Sequence, residues 1–87
     1  MPEFVKGTPI YLRNAGSRPK FKFSELPLIR VSGTGKSDAL ARSEAEDKLV
    51  KAARGADAIV DVMYSWPEAE ADSTCEITGT PIKRLSD

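Results

Sequence analysis

The sequence predicts an α+β fold of two layers in the order β-β-α-β-β, with one helix packed on an antiparallel sheet. Three observations carry that reading. An alanine-rich stretch between Ser37 and Gly55 has the start and stop residues of a single helix. It runs directly into Asp57–Ser65 (DAIVDVMYS), a β-branched run with strand alternation. The remaining β-prone runs are short and bounded by Gly, Pro and Asn, and 87 residues leave no room for the repeated βα units of a parallel sheet.

Residues 1–7 read as a loose terminus, residues 8–85 as one domain and residues 86–87 as a tail. Thr8–Arg13 (TPIYLR) is a short strand. Asn14–Pro19 is turn chemistry, with Gly16 free to take positive φ and Pro19 lacking a donor. Lys20–Phe23 (KFKF) alternates cation and ring, which fits a strand edge or an ordered loop. Leu26–Gly33 is a firmer strand, with Pro27 at its start or on an edge.

The helix is expected from the Ser37 cap to Arg54, closed by a left-handed Gly55. Asp38 faces the positive end of the helix dipole, and Lys48, Lys51 and Arg54 the negative end. Ala41, Ala45, Leu49 and Ala52 form one stripe, so small side chains should bring the helix close to the sheet. Leu40 and Val50 fall on the other side. In the next strand Ala58, Val60, Val62 and Tyr64 are expected to face the helix, and Ile59, Asp61 and Met63 the outer sheet face. Trp66–Pro67 ends that strand. Glu68–Asp72 is an acidic connection, and Ser73–Leu85 is a last strand, bent near Gly79 and Pro81, that closes a hairpin.

Composition narrows the chemistry. There is no histidine, the commonest general base and transition-metal ligand. Cys75 is the single cysteine, which alternates with Ile77 as a small buried hydrophobe would. A cysteine-based metal site would need ligands from other subunits. These features point to a domain that is not an enzyme, with no catalytic residues, no metal ligands and no cofactor. No apolar run approaches the ~20 residues of a membrane span. Without a visible signal peptide the expected compartment is the cytoplasm, or the periplasm or envelope if a leader has been removed.

Charge is zero overall but uneven. Residues 1–36 carry seven basic and two acidic side chains, and residues 37–87 six basic and eleven acidic. Three readings fit: a basic half that meets nucleic acid, opposite charges that meet between subunits, or halves that neutralise each other within one fold.

Four sets of residues are candidate sites. Gly33–Ser37 (GTGKS) is the second half of a phosphate-binding loop, but Arg30 stands where its first glycine belongs, and a bulky side chain there obstructs the backbone nest. What survives is anion affinity at Gly35, Lys36 and Ser37, against a plain strand-to-helix turn. Arg13, Arg18, Lys20 and Lys22 interleave with Tyr11, Phe21 and Phe23. That pattern serves a single-strand nucleic acid binder or an amphipathic edge whose rings pack inward. Glu68, Glu70 and Asp72 project together on an extended backbone and read as a cation site or a solvated loop. Leu40, Val50, Ile59 and Met63 are the expected contacts of a homo-oligomer, which a thin core favours.

The layout resembles the YbjQ-like group of small bacterial domains, often labelled heavy-metal-binding. The resemblance rests on LIRVSG before the helix, on ALARSEAEDKLVKAA within it, on the join GADAIVDVMY at residues 55–64 and on the G-T-P-I step at residues 79–82. The opening TPIYLRNAG and the strand ending in VSG also look like the RcsF-type stress-sensing lipoproteins. The resemblance spans residues 8–85. It implies a β-α-β-β core with an added N-terminal strand, a tendency to form rings (pentamers in that group) and no catalytic residues. The cysteine framework of the lipoproteins is absent, and one Cys without His carries over no metal ligands. The function these features suggest is an assembly or interaction domain without catalytic activity. The alternatives are a module for an anion or metal ion, and single-strand nucleic acid binding through residues 11–23.

Overall fold

The structure, a computed structural model, describes residues 2–16, 18–68 and 71–85. One helix packs on a six-stranded sheet, as the α+β class requires. The order is β1 (Glu3–Val5), β2 (Thr8–Leu12), a 3-10 turn (Arg13–Ala15), β3 (Phe23–Glu25), β4 (Ile29–Gly35), α1 (Asp38–Ala52), β5 (Ala58–Ser65) and β6 (Ser73–Arg84). The sheet runs β1-β2-β5-β6-β3. The long β6 carries β4 beside Ser73–Gly79 and β3 beside Ile82–Arg84, with β5 on its other edge.

Two expectations about the strands are corrected. Residues 3–5 are not irregular but form a hairpin with β2. Its two-residue turn puts Lys6 at φ 48 and Gly7 at φ 85, the left-handed pair that matches the twist of hairpin strands. The sheet is also mixed rather than antiparallel, because β2 lies parallel to β5. Two strands and the helix separate them in the chain, enough for the crossover that parallel neighbours need.

Ser37 caps α1, its Oγ accepting from the Leu40 amide at 3.3 Å. Ala41, Ala45 and Leu49 are fully buried, and the four-residue spacing continues to Ala53, so Ala52 is exposed instead. Glycines receive this face. A Cβ on Gly33 would stand 2.4 Å from the Ala45 nitrogen and 2.6 Å from the Ala41 oxygen, and one on Gly35 would stand 2.7 Å from the Ala41 nitrogen. The glycines of GTGKS are therefore residues of β4 that admit the helix backbone.

In β5 the alternation breaks at Asp61, which sits at φ 54. The register jumps there from Val60 opposite Thr80 to Met63 opposite Thr78, a bulge of one residue. Ile59, Val62 and Tyr64 consequently pack with the helix, while Ala58 and Val60 join Ile82 in a second cluster on the opposite face. Tyr11, Phe21 and Phe23 cover that second cluster. Ile59 is fully buried and cannot be an outer contact.

Candidate binding cleft

The helix lies over β4 and β6, and the β1–β2 hairpin is drawn toward its other flank. Lys6 makes that link, its Nζ 2.6 Å from Asp47 Oδ1 and 3.3 Å from Ser43 Oγ. Hairpin, helix and the end of β5 enclose a cleft of about 510 Å³ lined by Val5, Ile10, Leu12, Arg42, Glu46 and Tyr64. Phe4 and Trp66 also border it, 68% and 45% exposed.

The polar wall is a closed network. Tyr64 Oη donates to Glu46 Oε2 at 2.6 Å, and Arg42 Nε donates to the same oxygen at 3.3 Å. The guanidinium also stands 4.9 Å over the Tyr64 ring. Burial and the Glu46 hydrogen bond push the Tyr64 phenol well above its ordinary range. The same carboxylate raises Arg42. Both groups are held as hydrogen-bond donors rather than set to exchange protons. Cys75 lies fully buried nearby, its thiol pushed up first by burial and then by the charge of Glu46. It is a packing residue, as its alternation with Ile77 suggests.

Pro9 creates an open edge at the cleft. It lies opposite Phe4 in the antiparallel hairpin. Opposed residues in such a ladder either exchange two N–H···O bonds or none, and proline has no N–H. The Phe4 backbone N–H and C=O therefore point away from β2, at the free margin of the sheet.

The residues singled out in the sequence do not converge. Gly35 pairs opposite Ser73 within the sheet, and the left-handed glycines of the described residues are Gly7, Gly16 and Gly55. Gly35, Lys36 and Ser37 thus form a strand end and a cap, not a phosphate nest. Arg13 Nη1 lies 3.1 Å from Met63 Sδ, and Arg18 binds Asp61 at 3.1 Å, away from Lys20 and Lys22 beside Phe21. The rings of residues 11–23 pack inward, which is the amphipathic-edge alternative. Leu40 and Met63 are exposed, but Val50 is half-buried against the core, so the four expected contacts share no surface. Glu70 lies outside the described residues, among which no three His, Cys, Asp or Glu gather as metal ligands.

Ion pairs within the fold meet part of the charge asymmetry. Lys6–Asp47, Arg18–Asp61 and Arg30–Glu76 each join the basic first part of the chain to the acidic remainder. Phe4, Arg42, Glu46, Tyr64 and Trp66 are the residues that sequence reasoning missed. The one local signal was the i,i+4 spacing of Arg42 and Glu46.

Comparison of the chain with protein-family models, with curated proteins and with solved structures finds no match. No helix among the described residues is long and apolar enough to cross a membrane.

Proposed function

We propose that the protein is a non-catalytic assembly and interaction domain of the YbjQ-like kind, which pairs with a second copy of itself through β1. The observation that carries this reading is Phe4, which presents an unpaired backbone donor, an unpaired acceptor and an exposed ring at one point of the sheet margin. Two such edges meet about a two-fold axis with Phe4 opposite Phe4, exchanging two hydrogen bonds and bringing the rings side by side. Trp66 and the apolar part of the cleft add contact area beside the pair. The Arg42–Glu46–Tyr64 network supports a binding role, because its hydrogen bonds fix the cleft wall and its protons are held.

Backbone amide exchange read against protein concentration tests the pairing. The Phe4 amide should become protected as concentration rises, while the Pro9-flanking amides of β2 stay unchanged. A Phe4 amide that exchanges at the same rate at every concentration would rule the pairing out.

A further inference from the structure

The end of the molecule formed by β3, the end of β6 and the C-terminus of α1 has a different character from the cleft. Phe23 and Ser24 lie opposite Arg84 and Lys83, the Leu26 amide donates to the Pro81 carbonyl at 2.9 Å, and the Leu85 amide to the Lys22 carbonyl at 2.9 Å. Three leucines at this end are left out of the core: Leu26, Leu28 and Leu85 are 38%, 67% and 46% exposed. Leu26 and Leu28 line a shallow groove of about 350 Å³ with Ala52, Arg54 and Pro81.

Cations share this end of the molecule, Arg54 at the leucine groove and the others beside it or around Phe21 on the other sheet face. Lys20, Lys22 and Arg84 flank Phe21, Arg54 borders the groove, and Lys83 reaches the Gly55 carbonyl at 2.7 Å. Among the described residues none of these five is in an ion pair with a carboxylate, unlike Lys6, Arg18 and Arg30 elsewhere. The carboxylates of this end are Glu25 and Asp57, and Asp57 is occupied by the Arg84 amide at 2.6 Å.

We infer that this end docks on an anionic lipid bilayer. Exposed aliphatic side chains and unpaired cations at one end of the molecule match a surface whose phosphates are charged and whose interior accepts apolar groups. Single-stranded nucleic acid is the other polyanion to consider, but it asks for open rings on which bases stack. Here the Phe21 ring lies under the Arg84 guanidinium at 5.1 Å and meets Phe23 edge-on at 6.2 Å. The exposed apolar groups are leucines, which insert rather than stack. This surface is separate from the β1 edge, so its test does not depend on self-pairing.

Co-sedimentation with vesicles decides it. Vesicles of phosphatidylcholine mixed with phosphatidylglycerol should bind the protein roughly tenfold or more tightly than phosphatidylcholine alone, since two or more cations contribute. Lys20→Glu/Lys22→Glu should abolish that preference. Leu28→Ser, at a site 67% exposed and with its folding checked by circular dichroism, should weaken binding to the mixed vesicles while sparing the charge. Equal binding to both vesicle types, no binding to either, or no effect of Leu28→Ser would overturn the inference. So would tighter binding to a single-stranded oligonucleotide than to the mixed vesicles.

Discussion

Asp61 decides which side chains of β5 the helix meets. Its left-handed backbone costs an ordinary residue about 1–2 kcal/mol, less for aspartate, whose short polar side chain suits that region. Asp61→Gly should therefore leave stability within about 0.5 kcal/mol, whereas Asp61→Val should lose about 1–2 kcal/mol in urea unfolding. A harmless valine would mean that the bulge can move. Arg18 contributes little to this, because its bridge to Asp61 is exposed at both ends. Tyr64 and the buried Cys75 carry the alkaline pH dependence, Tyr64 above pH ~10. The folded pKa of Tyr64 is raised above the unfolded value of about 10, so its stabilisation is complete below pH ~10 and is lost as pH rises further. Unfolding midpoints should be flat near neutral pH, begin to fall above the ordinary thiol value of about 8.5 as the buried Cys75 thiol resists ionisation, and fall more steeply above pH ~10. Tyr64→Phe should be less stable by about 1–2 kcal/mol at neutral pH, from the lost bond to a carboxylate, and should lack Tyr64's share of the alkaline fall.

Among the elements, α1 tests the close approach of helix and sheet. Gly33→Ala adds one methyl against the backbone of Ala41 and Ala45, which cannot give way as a side chain would. It should cost about 3 kcal/mol, the upper range for overpacking, against about 1 kcal/mol for Ser37→Ala at the cap. Chemical denaturation of the two variants checks the order. If Ser37→Ala costs more, the glycines do not set the helix height. The same elements show what was legible. Helix α1 and strands β4, β5 and β6 announce themselves by spacing, caps and β-branched runs. Strand β1 does not, because its turn uses Lys6–Gly7 where Asn–Gly or Asp–Gly would signal a hairpin. The parallel pairing of β2 with β5 leaves no local pattern at all. Asp61 looks like an ordinary outward residue of an alternating strand, so the bulge and the burial of Ile59 were hidden. The cleft was hidden for a related reason. Its walls come from β1, β2, α1 and β5, and only the pairing of these elements brings Arg42, Tyr64 and Trp66 to the same place as Phe4.

At the scale of the whole molecule, part of the charge asymmetry of the sequence is met inside the fold, by the three ion pairs between its two parts. These pairs are exposed, so the urea midpoint should change little between low and high salt. Self-pairing at β1 should be equally indifferent to salt, because backbone hydrogen bonds and a ring contact drive it. Solution mass by light scattering after size exclusion tests the assembly claim most directly, on the natural chain and on Phe4→Pro. Proline removes the outward N–H of an edge residue without touching the ladder to β2. The account predicts a discrete oligomer of the natural chain at both low and high salt, and a folded variant of lower mass. A natural chain that runs as a monomer, or a proline variant of unchanged mass, would contradict it.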